Sequence, residues 1–69
     1  MKNPESNLNN DFYVMGAHYF HNKTGYIAEY TGKERNRHTY KVVEASEKSG
    51  FKKGDKFTPQ EPQRYFSIL

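Results

Sequence analysis

The 69-residue sequence contains no cysteine. Without cysteine the chain has no disulfide bonds and no thiolate ligands for zinc, and it lacks the usual covalent staple of small secreted domains. No apolar run approaches the ~18 residues of a membrane-spanning helix. The first residues, MKNPESNLNND, lack the hydrophobic core of a signal peptide. These absences predict a cytoplasmic protein that does not associate with membranes.

Aliphatic side chains are also scarce, whereas the chain has six tyrosines and five phenylalanines. A helical bundle needs a stripe of leucine and alanine, and the sequence has none. Each aromatic ring can bury roughly 150–250 Å², so a few rings suffice for a small core. A domain this small buries only about 60% of the surface that its unfolded chain exposes. The composition therefore favours a small, aromatic-rich β-fold over a helical one.

Signatures of catalysis and metal binding are missing as well. The glycines are scattered rather than gathered into a phosphate-binding loop, and Ser46, Ser49 and Ser67 lie in no nucleophile motif. His18, His21 and His38 have no Asp or Glu at ligand spacing. The sequence predicts a protein that is not an enzyme and that uses no metal and no cofactor.

Residues 24–43 are the clearest structural signal in the chain. Residues 26–30 and 39–43 are rich in β-branched and aromatic side chains, which suit a pleated, half-buried surface. Between them, residues 32–37 contain a glycine and an asparagine, the types that accept the positive φ of a turn. The pattern predicts two strands joined by a charged turn.

The rest of the chain divides into shorter strands around this hairpin. Polar residues 1–10 bury too little apolar area to order themselves and are predicted to be a flexible N-terminal tail. Residues 11–69 are predicted to form one domain, because the chain is too short for two. Strands are expected at 11–20, 25–31, 38–45, 56–58 and 65–69, with a turn or a single 3₁₀ turn at 59–62.

The prediction for residues 65–69 is that they pair with the first strand. A hydrophobic strand at the end of the chain would be an aggregation hazard if it were left unpaired. Pairing of the last strand with the first closes the sheet. The predicted fold is therefore mainly β: a small five-stranded antiparallel SH3-like barrel.

The sequence does not decide which face of the second predicted strand is buried. Tyr26, Ala28 and Tyr30 lie on one face, whereas Ile27 lies on the other with Glu29. Either the tyrosines point into the core, or Ile27 is buried and the tyrosines form an exposed platform. The second alternative has a functional meaning, because exposed tyrosine rings can stack on bases.

The segment HNKTGYIAEY (residues 21–30), followed by YKVV (residues 40–43), resembles the KOW motif of ribosomal proteins and transcription elongation factors. In that family a basic turn leads to a glycine, a strand and a valine-rich strand; Gly25 fits the glycine, and Lys23 is the one lysine of the turn. The resemblance covers roughly residues 13–43 and implies binding to nucleic acid or to a polymerase-associated partner. The chain is also similar to Tudor-type barrels, which implies peptide recognition by an aromatic cage.

A mixture of basic and aromatic residues is the remaining functional signal in a chain of net charge +3 and isoelectric point near 9.2. Ammonium and guanidinium groups neutralise phosphates, and tyrosine rings stack on exposed bases. Acidic residues such as Glu29, Glu34 and Glu44 interleave with the cations and weaken the field. The candidate binding residues are Lys23, Tyr26, Tyr30, Lys33, Arg35, Arg37, His38, Lys41, Lys52 and Lys53.

Two functions follow from these residues. The first is a non-catalytic domain that binds DNA or RNA through the basic and aromatic hairpin. The alternative is a protein-binding module, of the kind of a phage-encoded inhibitor or modulator of a host enzyme or defence complex, because tyrosine and arginine are also enriched at interface hot spots. The sequence does not indicate an oligomeric state.

Overall fold

The computed structural model describes residues 11–69, which form one antiparallel sheet of five strands. The prediction of a flexible tail at residues 1–10 lies outside the described residues. In chain order the strands are β1 (His18–His21), β2 (Ile27–Glu34), β3 (Arg37–Glu44), β4 (Lys56–Phe57) and β5 (Phe66–Ile68). Their order across the sheet is β4-β3-β2-β1-β5. The mainly β fold is thus confirmed.

The β2–β3 hairpin is the longest pairing in the sheet, with eight residues in each strand. Its turn consists of Arg35 and Asn36, both of which have positive φ (52° and 66°). Two-residue turns of this kind match the twist of the flanking strands. Gly32 (φ 100°) lies at a β-bulge within β2 instead of in the turn. The strands therefore extend further than the predicted turn at 32–37 allows.

Residues 11–17 are not the strand that the sequence predicts. The strand begins only at His18, and Gly16 (φ 78°) bends the chain, as a glycine inside a predicted strand suggests. The Gly16 N–H donates to the Tyr30 carbonyl (3.0 Å), and the Tyr30 N–H donates to the Ala17 carbonyl (3.0 Å). These bonds hold residues 16 and 17 beside Tyr30 of β2, and Phe12 and Tyr13 pack against the core.

The core consists mainly of aromatic rings. Its buried members are Tyr19, Tyr26, Ala28, Tyr30, Tyr40, Val42 and Phe66. Tyr26, just before β2, and Tyr30, within it, therefore point inward, which decides the alternative that the sequence left open. Two of the core hydroxyls bond to the N-terminal segment: Tyr19 donates to the Asp11 carbonyl (2.7 Å), and Tyr40 donates to the Phe12 carbonyl. Burial raises the pKa of Tyr26 to about 12.

The last strand pairs with the first, as predicted: Tyr19 lies opposite Ile68, and His21 lies opposite Phe66. Within residues 11–69, however, no ladder joins β5 to β4, so the sheet is not closed. β4 contributes two residues to its pairing with β3, and the Gly54 N–H and the Asp55 carbonyl bond to Val42 beside it. The prediction of a closed barrel therefore goes further than the observed sheet.

The connections contain short helical pieces. A 3₁₀ turn spans Glu47–Ser49 and ends at Gly50, which has positive φ (74°). Helix α1 spans Pro62–Tyr65, so it begins at the last residue of the predicted turn at 59–62 and includes Tyr65, which was predicted to begin the last strand. A proline at the first helical position has its φ already set for a helix. Among residues 11–69 no helix is long and apolar enough to span a membrane.

Candidate functional site

The tip of the β2–β3 hairpin carries three exposed cations, Lys33, Arg35 and Arg37. The one acidic residue between them, Glu34, is bound by Lys56 of β4, whose Nζ lies 2.9 Å from its carboxylate. Within residues 11–69, none of the three tip cations forms an ion pair with an acidic side chain. The tip therefore presents a net positive charge to solvent.

A groove of about 340 Å³ lies beside the tip and is called the His38 groove here. It runs between the hairpin, Tyr13 of the N-terminal segment and the residues that follow β4. No acidic side chain of residues 11–69 lines it. Its lining residues are Tyr13, Lys33, Asn36, Arg37, His38, Thr58, Pro59 and Gln60.

A second, wider groove of about 630 Å³ lies on the other side of Arg37. Arg37 and Thr58 line both grooves. The wider groove adds the cations Arg35 and Lys56, and its one carboxylate is Glu34, which Lys56 holds. Arg37 is therefore the cation shared by the two concave surfaces around the tip.

His38 is held in place by two tyrosines. Its Nδ1 lies 2.7 Å from the Tyr30 hydroxyl, and its ring stacks on Tyr13 with a centroid distance of 3.7 Å and an angle of 16°. Partial burial and the nearby Lys33 ammonium lower the pKa of His38 from its usual 6.5. The ring is therefore neutral at pH 7. With the Tyr30 hydroxyl as donor, Nδ1 accepts and Nε2 carries the proton.

The structure places Tyr26 and Tyr30 in the core, each with 5% of its surface exposed. The Tyr26 ring stacks on His21 at 4.7 Å, and the Tyr30 ring contacts Tyr40 at 5.3 Å. A base can stack on either ring only if that ring leaves the core. The exposed tyrosine platform considered from the sequence is therefore not present in this fold.

The other predicted binding residues lie away from the tip. Lys23 lies before β2, at the opposite end of a strand roughly 25 Å long, with Nζ 5.7 Å from the ring centre of Tyr65. Lys41 lies in the middle of β3, opposite Lys56. Lys52 and Lys53 are exposed in the connection from β3 to β4. Of the ten predicted residues, the structure gathers four at the tip: Lys33, Arg35, Arg37 and His38.

Several residues of the His38 groove were not predicted from the sequence. Tyr13 comes from a segment that was expected to be a strand, and Thr58, Pro59 and Gln60 follow the short strand β4. These residues are far from His38 along the chain, so no local sequence pattern indicates that they lie beside it. Only Asn36 carries a readable signal, because an asparagine at a turn indicates positive φ and hence a position at the tip.

The three histidines lie in separate environments. His18 faces Glu29 at 3.5 Å, and His21 Nδ1 accepts from the Thr24 N–H at 3.1 Å. His38 bonds to Tyr30. In the part of the chain that the structure describes, no group of three or more His, Cys, Asp or Glu side chains is placed to hold a metal ion.

No protein-family model, curated protein or solved structure matches this chain in comparisons with known proteins. The geometry and charge of the hairpin tip therefore carry the functional interpretation that follows.

Proposed function

We propose that this chain is a small, non-catalytic domain that binds nucleic acid, DNA or RNA, through the cations of the hairpin tip. One observation carries the proposal: Lys33, Arg35 and Arg37 are exposed together at a two-residue turn and have no acidic partner within residues 11–69. Cations that neutralise phosphates release condensed counterions, which is the main source of sequence-independent affinity.

The burial of Tyr26 and Tyr30 argues against base stacking on these rings as a part of the proposed binding. Without an exposed tyrosine platform at the tip, the contacts are mainly to phosphates. Phosphate contacts fix the position of a protein on the nucleic acid but carry no direct sequence information. The proposed binding is therefore weakly sequence-dependent and strongly dependent on salt.

Replacement of Lys33, Arg35 and Arg37 together by alanine should weaken binding to all DNA and RNA sequences alike. The slope of log affinity against log salt should become flatter by up to about three phosphate contacts. The melting temperature should change little, because an exposed charge usually contributes less than about 0.5 kcal/mol to stability. Fluorescence anisotropy with labelled oligonucleotides over a series of salt concentrations measures both the affinity and the slope.

A charge-matched control is available in Lys23, Lys52 and Lys53, which are exposed but lie away from the tip. Their joint replacement by alanine removes the same charge and should flatten the slope much less. An equal loss in both variants would show that net charge, not the tip, controls binding. A parent chain that binds neither DNA nor RNA at low salt would contradict the proposal.

A second candidate function, binding to a protein partner, has its own supporting observation. Apolar side chains are exposed around the β1–β5 edge: Phe20 (36%), Tyr65 (40%), Ile68 (53%) and Leu69 (67%). Within residues 11–69 the outer edge of β5 has no neighbouring strand, so an extended segment of a partner can pair with it. This is the surface that a phage-type inhibitor or modulator of a host enzyme would use. Such binding would change little with salt, and a pull-down from the native host would identify the partner.

We also propose that the open sheet is an SH3-like barrel with its seam between β4 and β5, the architecture that the resemblance to KOW and Tudor domains implies. Support comes from Phe57 of β4 and Phe66 of β5, whose ring centroids are 6.5 Å apart although the strands occupy opposite edges of the sheet. Nuclear Overhauser effects between these two rings are the expected result. Their absence in a folded sample would contradict the barrel.

A further inference from the structure

The His38 groove gathers several groups that bind a phosphate. Lys33 and Arg37 supply positive charge, and Asn36, Thr58 and Gln60 supply hydrogen-bond donors without charge. In the part of the chain that the structure describes, no carboxylate lines the groove. Two acidic residues are adjacent in sequence to lining residues. Glu34, next to Lys33, lines the other groove and is held there by Lys56 at 2.9 Å, and Glu61, next to Gln60, lies 3.3 Å from Arg64.

We propose that the His38 groove is a subsite for a single phosphate group of the bound strand, held by Lys33 and Arg37, and that protonation of His38 strengthens it. This inference rests on the proposed function and deepens it, because it names the phosphate contact that pH regulates. The groove volume, about 340 Å³, lies at the lower end of the range for small-ligand sites, roughly 300–1,000 Å³. It suits one nucleotide phosphate and is too small to enclose a duplex.

The groups around His38 set the direction of the pH dependence. The hairpin presents Lys33 and Arg37 to the ring, the N-terminal segment presents Tyr13, and β2 presents the Tyr30 hydroxyl. Residues 58–60 add no titratable group. Among residues 11–69, the charged side chains that line the groove with His38 are therefore positive. Burial and Lys33 lower its pKa in the free protein, and a phosphate in the groove would oppose that effect.

The sign of the effect on binding follows from linkage. If a bound phosphate raises the pKa of His38, protonation of His38 must strengthen phosphate binding by the same factor. A rise of one unit corresponds to a tenfold gain in affinity. The gain appears as the pH falls through the pKa of His38, which lies below 6.5 in the free protein. Binding should therefore be tightest in mildly acidic solution.

The same lowered pKa has the opposite effect on the stability of the free protein. Because the unfolded chain binds a proton at His38 more readily than the folded chain, stability falls as the pH falls below about 6.5. On protonation both ring nitrogens become donors, and the Tyr30 hydroxyl changes from donor to acceptor. A bound phosphate would offset this loss of stability. The phosphate and the proton therefore each favour binding of the other to the groove.

Nuclear magnetic resonance of the histidine rings tests the inference on the unaltered chain. The ring signals are followed between about pH 8 and about pH 5, the interval in which histidine changes charge. The spectra are recorded alone, with a short oligothymidylate and with inorganic phosphate. We expect both probes to raise the pKa of His38. The ring signals of His18, whose side chain lies beside Glu29, should be the same with and without the probes.

Binding measurements on two variants supply the second readout. Affinity for the oligothymidylate should rise about tenfold from the upper to the lower end of this pH range in the parent chain and in His18→Gln. In His38→Gln the rise should be absent, because glutamine cannot gain a charge. His18 is the matched control, since it is also a strand histidine but lies in β1 beside Glu29 and does not line the groove.

Each outcome separates the inference from the proposed function. Oligothymidylate that binds with the same pH dependence in the parent and in His38→Gln would overturn the subsite and leave nucleic-acid binding intact. Inorganic phosphate that shifts His38 when no oligonucleotide binds would support the subsite and reject the proposed function. A His38 signal that responds to neither probe would overturn the subsite, whether or not the strand binds elsewhere.

Discussion

Replacement of Tyr40 by alanine is expected to unfold most of the protein under ordinary buffer conditions. Tyr40 is fully buried, and its ring contacts Tyr30 at 5.3 Å and Phe66 at 5.2 Å. Truncation of a buried aromatic side chain to alanine costs about 3–5 kcal/mol, which approaches the whole stability of a small domain. Thermal and urea unfolding followed by circular dichroism would measure the loss.

Two control variants separate the ring of Tyr40 from its hydroxyl and from aromatic truncation in general. Tyr40→Phe keeps the ring but removes the hydrogen bond to the Phe12 carbonyl, so a smaller loss of about 0.5–1.5 kcal/mol is expected. Tyr65→Ala removes a ring that is 40% exposed and should cost less than Tyr40→Ala. A Tyr40→Ala chain as stable as the Tyr65→Ala chain would contradict the aromatic core.

Deletion of residues 66–69 should abolish cooperative unfolding. Phe66 is only 5% exposed, and its ring contacts Tyr19 at 5.9 Å as well as Tyr40. The deletion also removes the strand that pairs with β1 and leaves the polar backbone groups of β1 unpaired on that side. Small domains have little stability to spare for such a loss. Near-ultraviolet circular dichroism and a thermal melt would report it.

The control for the deletion keeps the backbone of residues 66–69 and removes only their exposed apolar side chains. Ile68 and Leu69 are 53% and 67% exposed, so their joint replacement by serine should leave the transition cooperative. Because both residues belong to the exposed β1–β5 edge, the same variant should weaken any protein partner that binds there. A sharp melting transition in the truncated chain would show that β5 is dispensable for the fold.

The hairpin was predictable because both its strands and its turn contain the residue types that these structures favour. β-Branched and aromatic side chains mark β2 and β3, and Asn36 marks the turn, where it does adopt positive φ. The turn itself was placed too broadly. Gly32 was taken as a turn residue but serves a bulge, and Arg35 accepts the other positive φ, which a sequence pattern does not indicate for arginine.

The N-terminal segment was not predictable from alternation. Both faces of residues 11–20 are apolar, so a period of two residues does not select a buried face. The actual course of the segment depends on contacts with residues far along the chain, such as Tyr13 with His38 and Phe12 with Tyr40. No local sequence pattern encodes these contacts. The residues that line the His38 groove could therefore not be predicted from the sequence.

The sequence predicted the positions of the charged residues of the candidate site but not the burial of its tyrosine rings. Lys33, Arg35 and Arg37 lie at the tip because any hairpin between β2 and β3 places them there. Tyr26 and Tyr30 are buried for a reason already contained in the composition. Aliphatic residues are scarce, and among residues 11–69 Ala28 and Val42 are the only ones buried in the core, so tyrosine rings have to fill it.

The two-residue turn between β2 and β3 has a consequence for the thermodynamics of recognition. With both of its residues fixed in the left-handed region, the tip contains no loop that has to become ordered when a ligand arrives. The conformational entropy lost on binding is then confined to the lysine and arginine side chains, at about 0.5–1.5 kcal/mol for each one immobilised. Binding at the tip should accordingly lack the large negative heat-capacity change that accompanies coupled folding.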